Sequence, residues 1–144
     1  METPQSSFAD ALHDAHTVLL RDLQELEKAV ASGSGEGPVE LTGRLERLRT
    51  HLIEHFQFEE EGGYMAPVLK EEPRLGPVIQ ELLAEHGKME RILDALILEV
   101  GGTRSIQDAF REKVRAWVAQ VRHHETRENN LVQEAYYSSG ATGD

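Results

Sequence analysis

The sequence predicts an all-α protein, folded as an up-down-up-down antiparallel four-helix bundle, because three features of the chain agree. Apolar residues recur at alternating steps of three and four in four separate segments, which is the spacing of one helix face. Short stretches rich in Gly, Pro or Ser separate the segments and favour chain reversals between neighbouring helices. No segment shows the apolar–polar alternation that is typical of a half-buried strand.

The first helix is expected to begin at Ser7, because Ser7 and Asp10 form a start signal related to the capping box. Its buried face is expected to contain Leu12, His16, Leu19, Leu23, Leu26 and Val30. The stretch 31–38 is so rich in Gly and Ser that it predicts a flexible link, which ends the helix.

The second helix is expected to begin near Pro38, since proline is well placed in a first helical turn. Its buried face would contain Leu41, Leu45, Leu48, Leu52, His55 and Glu59. We expect the helix to extend to about Leu69. Gly62, Gly63 and Pro67 weaken or kink its far end, because glycine lowers helix propensity and proline removes a backbone hydrogen bond.

The third helix is expected to begin at Pro77 and to end at Gly101 and Gly102. Its buried face would contain Ile79, Leu82, His86, Met89, Leu93, Leu96 and Val100. Ser105 and Asp108 predict the start of the fourth helix. The buried face of that helix would contain Phe110, Val114, Trp117, Val121, His124, Glu128 and Leu131.

Length and composition predict one domain over residues 1–144, with the bundle at about 7–137 and a disordered polar tail at 138–144. The net charge of −11 argues against a nucleic-acid partner. The absence of cysteine excludes disulfides, thiolate metal sites and thiol nucleophiles. Neither a signal peptide nor a membrane-spanning apolar run is visible, so a cytoplasmic protein without membrane contact is expected.

Histidine or glutamate interrupts the apolar face of every predicted helix. The six residues are His16, His55, Glu59, His86, His124 and Glu128. At about 1.5 Å per residue, and with neighbouring helices antiparallel, His16, His86 and both glutamates fall roughly 14 Å from the same end of the bundle. His55 and His124 lie one turn deeper, each beside the glutamate four residues later. All six side chains are therefore expected to meet in one layer.

A metal site explains these six residues better than a polar network does. A single buried histidine is usually a hydrogen-bonded core residue, but an unpaired buried carboxylate costs several kcal/mol. Six candidate ligands exceed what one tetrahedral zinc uses, and four imidazoles argue against calcium or magnesium. Mixed imidazole and carboxylate ligands in a four-helix bundle favour two iron or manganese ions.

The chain resembles the hemerythrin-like family, also called the HHE cation-binding domain. The family motif of His, His-x-x-x-Glu, His, His-x-x-x-Glu is matched by His16, His55 with Glu59, His86, and His124 with Glu128, and the resemblance extends over roughly residues 7–137. It implies a non-haem di-iron site with two bridging carboxylates and an oxo or hydroxo bridge. The open positions of such a site would bind dioxygen, nitric oxide or peroxide.

The chain departs from the oxygen-carrying hemerythrins at two positions. Those proteins have a second histidine on the third helix, four residues after the first, where this chain has Glu90. They also have a bridging aspartate five residues after the last histidine, where this chain has Asn129 and offers Glu128 instead. We therefore expect a site that is more open and more easily oxidised than that of a reversible oxygen carrier.

Other polar residues near the motif receive different expectations. His13 is expected on the surface, and His51 on the surface or beside a ligand. Tyr64 follows the Gly-Gly pair near the site's end of the bundle, where it would line an access path or donate a hydrogen bond to a bound oxygen species. We expect that three glutamates are exposed charges without a role in the site, namely Glu60, Glu61 and Glu85.

Three functions remain open from the sequence. The first is a di-iron module that binds or senses dioxygen, nitric oxide or iron, and that signals through a partner protein. The second is an enzyme that acts on peroxide or another small oxidant. The third is a metal-free helical interaction module whose buried polar residues are only hydrogen-bonded.

Overall fold

Four long helices form the protein in the computed structural model, which describes residues 4–31, 33–62 and 64–135. In chain order the elements are α1 (Pro4–Ala29), α2 (Pro38–Gln57), a π-helical turn (Phe58–Gly62), α3 (Met65–Glu71), a 3-10 turn (Pro73–Leu75), α4 (Gly76–Gly101) and α5 (Asp108–Gln133). The described residues contain no strand. The all-α class predicted from the sequence is confirmed.

The four long helices form an antiparallel bundle in which each helix packs against two others. Helices α1 and α4 each pack against α2 and α5. A large apolar cluster joins the second halves of α1 and α4 to α2 and to the first half of α5. A small apolar cluster joins the first halves of α1 and α4 to α3 and to the second half of α5. Neighbouring helices therefore run in opposite directions, as predicted.

The two apolar clusters lie at opposite ends of the bundle and hold the helices in register. The large cluster includes fully buried leucines from three helices, among them Leu23, Leu45 and Leu93, and each such side chain contributes about 1.5–3 kcal/mol. The indole nitrogen of Trp117 donates a hydrogen bond to the backbone oxygen of Met89 at 3.0 Å, which ties α5 to α4. The layer between the two clusters carries the polar residues.

The second helix differs from the prediction beyond Gln57. Instead of one helix to Leu69, the chain forms the π-helical turn and then the separate helix α3. The break occurs at the predicted weak point, since the turn ends at Gly62. Pro67 lies in the first turn of α3, where its missing N–H has no intrahelical partner to lose. The continuous helix predicted over this segment was wrong.

Helix boundaries elsewhere shift by a few residues. Helix α1 begins at Pro4 rather than Ser7. Helix α5 begins at Asp108 rather than at Ser105, because the Ser105 side chain and backbone oxygen accept hydrogen bonds within the preceding loop, both at 2.8 Å. The link after α1 contains two glycines with positive φ, Gly33 at +83° and Gly35 at +84°, as a tight reversal requires. The tail predicted to be disordered, 138–144, lies outside the described residues.

No helix within the described ranges is both long enough and apolar enough to cross a membrane.

Candidate metal centre

The six residues predicted as ligands meet in the layer between the two apolar clusters. They come from all four long helices and the π-helical turn: His16 from α1, His55 from α2, Glu59 from the turn, His86 from α4, and His124 and Glu128 from α5. Each is at most 8% exposed. A seventh buried polar residue, Glu125 of α5, lies in the same layer at 2% exposure.

These seven residues form two groups whose side-chain nitrogen and oxygen atoms could each hold one cation. The first group contains His16, His55, Glu59, Glu125 and Glu128, and the second contains Glu59, His86, His124 and Glu128. Within each group the donor atoms lie within 4.8 Å of one another. Because Glu59 and Glu128 belong to both groups, their carboxylates lie between the two positions. We call the first group the His16–His55 half and the second the His86–His124 half.

Contacts between the two shared glutamates and the histidines define the layer. The Oε2 atom of Glu59 lies 3.2 Å from Nε2 of both His16 and His55, and its Oε1 atom lies 3.2 Å from Nε2 of His86. The Oε1 atom of Glu128 lies 3.4 Å from Nε2 of both His16 and His124. Each glutamate therefore contacts histidines of both halves.

Glu125 is the site residue that sequence reasoning missed. One of its oxygens lies 2.5 Å from Nε2 of His16 and the other lies 3.4 Å from Nε2 of His55. It follows His124 directly and so lies one step off the predicted apolar face. Val118 and Val132, seven residues before and after it, are also buried. Those two valines were a usable signal, since residues seven apart share one face of a helix.

The π-helical turn lets two consecutive glutamates contact the same imidazole. Glu59 approaches Nε2 of His86, as described above, while Glu60 lies 2.7 Å from its Nδ1. A π-helical turn inserts one extra residue into the helix and changes the direction of the side chains. Glu60 is exposed, as predicted, but its contact with His86 was not predicted.

Two more histidines have an outer partner at Nδ1. His124 is held at 2.7 Å by Glu85, which also pairs with Arg127, and His16 is held at 2.9 Å by the amide oxygen of Asn129. In each case Nδ1–H donates outward, so Nε2 faces the centre of the layer, where it can bind a metal once it has lost its proton. Glu85 was expected to be an exposed charge without a role in the site, but it is partly buried and its contact with His124 was not predicted.

The outer partners follow one pattern around the bundle. Three of the four histidines have their partner on a neighbouring element, and the partners are Asn129 of α5 for His16, Glu60 of the turn after α2 for His86, and Glu85 of α4 for His124. Each partner directly precedes or follows a candidate ligand in sequence. The pattern is interrupted at His55, for which no Nδ1 partner is found within the described part of the chain. The α1 position beside His16 is Ala15, and it lines a surface depression of about 330 Å³ together with His55.

Unpartnered buried atoms show that the residues fit a bound cation. Seven buried side-chain atoms of the described residues lack a hydrogen-bonding partner, and all seven belong to this layer. They are Nε2 of His55, His86 and His124, Oε1 of Glu59 and Glu128, and both carboxylate oxygens of Glu125. An unsatisfied buried polar group costs about 1–3 kcal/mol, and more when it is charged. A cation at each position would satisfy these atoms together.

When no cation is present, protons on the histidines balance the negative charge of the carboxylates. Burial alone would lower the pKa of each histidine, but the adjacent carboxylates outweigh it. They raise the pKa of His16 to about 12, of His55 to about 9 and of His86 to about 10. Conversely, burial would raise the pKa of Glu128, but the neighbouring histidines hold it well below its ordinary value. The metal-free layer is thus a network of imidazolium–carboxylate pairs.

Two aromatic residues contact the layer, one at His86 and one at the shared Glu128. The Phe56 ring stacks on His86 with a centroid separation of 3.8 Å and an interplanar angle of 7°. The Tyr64 hydroxyl donates a hydrogen bond to Oε2 of Glu128 at 2.5 Å. Burial and the nearby carboxylates raise the pKa of Tyr64, so its hydroxyl stays protonated. The structure thus gives Tyr64 a hydrogen bond to a candidate ligand.

The remaining polar residues singled out in the sequence lie outside the layer. Glu90 is partly buried but belongs to neither group of the described residues. His51 is exposed, with Nδ1 at 3.1 Å from Asp22. His13 and Glu61 are exposed as predicted.

Comparison with known families agrees with this geometry. The sequence profile described as the hemerythrin HHE cation binding domain matches residues 7–136. No curated protein and no solved structure matches the chain.

Proposed function

The chain belongs to the hemerythrin HHE cation-binding domain family, and we propose that its buried layer holds two iron ions, with manganese as the alternative metal. The observation that carries this proposal is the pair of groups that share both Glu59 and Glu128. Two imidazoles in each half and carboxylates between the halves are the ligands that favour paired iron or manganese in a helical bundle.

Different residues of the layer would link, bind and orient the metal site. Glu59 and Glu128 would link the two positions, while His16 and His55 would bind one ion and His86 and His124 the other. Glu60, Glu85 and Asn129 would keep three of the imidazoles oriented with Nε2 inward. When bound, an iron pair supplies coordination positions for a small ligand and the capacity to change oxidation state.

We propose that the protein binds or senses dioxygen, nitric oxide or iron itself. The enclosure of the layer supports a small ligand, since each of the seven residues is at most 8% exposed. The outer partners would carry a change at the site towards the surface. Arg127 pairs with Glu85, the partner of His124, and also donates a hydrogen bond to Glu81 at 2.8 Å on the surface. A partner protein would read the state of the site there.

Metal content and an absorption spectrum test this function. The metal-free protein is reconstituted anaerobically with ferrous iron, its iron per chain is measured, and spectra are recorded before and after exposure to dioxygen. We expect two irons per chain and new ferric absorption in the near ultraviolet. His16→Ala should lower the iron content, while His13→Ala, on the exposed side of the same helix, should not. A protein that binds neither iron nor manganese would instead be a metal-free interaction module.

A second candidate function is an enzyme that consumes peroxide. The buried Tyr64 hydroxyl favours it, because it places a proton donor beside the layer, hydrogen-bonded to Glu128. Turnover of peroxide by the iron-loaded protein should then disappear in Glu59→Ala and Glu128→Ala. An iron-loaded protein that does not consume peroxide would exclude this function and leave the binding function intact.

A further inference from the structure

The two halves of the site offer unequal numbers of ligands. The His16–His55 half contains five residues, and the His86–His124 half contains four. Glu59 and Glu128 count in both halves, and each half has two histidines, so the difference is Glu125 alone. If the two ions have the same coordination number, the His86–His124 half lacks one more protein ligand than the other half.

Glu125 is placed to occupy the His16–His55 half. Its two oxygens contact His16 and His55 at 2.5 and 3.4 Å, and neither oxygen has a hydrogen-bonding partner. The side chain is 2% exposed, so water does not compensate for the missing partners. A buried carboxylate whose only close partners are imidazoles, which give up their protons when a metal binds, is a strong ligand for a hard cation.

A hydrogen-bond donor lies beside the shared Glu128, on the oxygen that faces His86. The Tyr64 hydroxyl bonds to Oε2 of Glu128, and this oxygen lies 3.7 Å from Nε2 of His86. The Tyr64 side chain is 1% exposed, so the donor lies in a protected environment. A small ligand with a lone pair would therefore meet an open position in this half, and the Tyr64 hydroxyl would turn from Glu128 to donate its one proton to the ligand.

We propose that Glu125 closes the His16–His55 half, and that an exogenous ligand binds in the His86–His124 half beside Tyr64. The ligand class is a small molecule or anion that accepts a hydrogen bond while it binds a metal. This inference rests on the proposed function, since it requires a metal in each half. It makes Glu125 a residue that determines where ligands bind.

The surface depression beside His55 defines the competing outcome. It is about 330 Å³ in volume and is lined by Ala15, His55 and Phe58, among others, so it reaches the outer side of the His16–His55 half. A ligand that entered there would need a free position at the first metal. The proposal states that Glu125 removes that position.

Azide binding to the cobalt-loaded protein tests the proposal without using any activity. Cobalt(II) is stable in air, and its visible absorption reports a change in coordination. The full chain is loaded with two cobalt ions and titrated with azide, and the number of azides bound per chain is measured. We expect one azide for the unaltered protein. Glu125→Ala opens the other half and should bind two, whereas Glu112→Ala, an exposed change on the same helix, should bind one.

Tyr64→Phe tests the location by itself, because it leaves all seven candidate ligands in place. Loss of one hydrogen bond should weaken azide binding about tenfold, while two cobalt ions remain bound. Unchanged azide affinity in Tyr64→Phe would overturn the proposal. A single azide in a Glu125→Ala protein that holds two cobalt ions would do the same. Failure of the unaltered protein to bind cobalt would refute the proposed function itself. That outcome is distinguishable from failure of the present inference, in which cobalt binds but azide binding does not follow the expected pattern.

Discussion

Metal binding by this protein is expected to release protons, because the site histidines hold protons when no cation is present. The pKa of His55 is raised to about 9 and that of His86 to about 10, while His16 reaches about 12. The pKa of His124 is also raised, since the carboxylates of Glu128 and Glu85 outweigh its burial. An imidazole must give up its Nε2 proton before that nitrogen can coordinate a metal.

The size of the release follows from these pKa values. At pH 7.5 a group with a pKa of about 9 is about 97% protonated, and groups with higher values are more so. Filling both halves should therefore release about three protons, from His16, His55 and His86, together with any proton that His124 holds through its raised pKa. The overall binding constant for two metals should rise by at least about three powers of ten per pH unit near neutrality, since each released proton contributes one.

Titration calorimetry measures this release. Cobalt(II) is titrated into the metal-free protein at one pH in several buffers with different ionisation enthalpies, and the slope of the observed heat gives the proton number. His86→Ala should lower the release by about one proton. His51→Ala is the matched control, because His51 is an exposed histidine paired with Asp22. A release below one proton in the unaltered protein, or an equal loss in His51→Ala, would refute the reasoning.

Three further outcomes are expected. The metal-free protein should be most stable at about pH 4.5–6.5. The raised pKa values of the histidines contribute stability that is lost as pH rises towards 9–12. The lowered pKa values of Glu125 and Glu128 contribute stability that is lost in acid. Urea denaturation across this pH range measures it, and a flat profile would contradict it. Tyr64→Phe should lower the free energy of unfolding of the metal-free protein by about 1.5–3 kcal/mol, because a hydrogen bond to a charged group is lost without a large cavity; equal urea midpoints would argue against it. Ala15→Asp should supply an Nδ1 partner for His55 and slow the removal of metal by a chelator. An unchanged rate of removal would show that the lack of a partner at His55 has no effect on metal retention.

The fold could be predicted from the sequence because helix formation follows local spacing. Leucines at steps of three and four identify the buried face of a helix, and the Gly- and Pro-rich links identify its ends. The same spacing identified His16, His55 and His86 as inward-facing residues, and counting along the helices placed them in one layer. These inferences needed only the geometry of single helices and the antiparallel order.

The prediction of one continuous helix was wrong in the segment 58–69, because the local sequence pattern there is compatible with more than one structure. Gly62 and Pro67 predicted a weakened helix, but not that Phe58–Gly62 would form a π-helical turn. That turn allows Glu59 and Glu60 to reach the two nitrogens of one imidazole. A sequence pattern cannot show this, because the direction of each side chain depends on how the turn packs against α4.

The sequence by itself determined four helices, their buried faces and six inward-facing histidines and glutamates, because each follows from the helical repeat. Only the tertiary structure decided the roles of Glu125, Glu85 and Asn129. Each directly follows or precedes a residue of the predicted set, at the edge of a buried face, where a small rotation of the helix decides between solvent and site. That rotation is set by packing against neighbouring helices, and it makes Glu125 a third carboxylate of the layer and the two halves unequal.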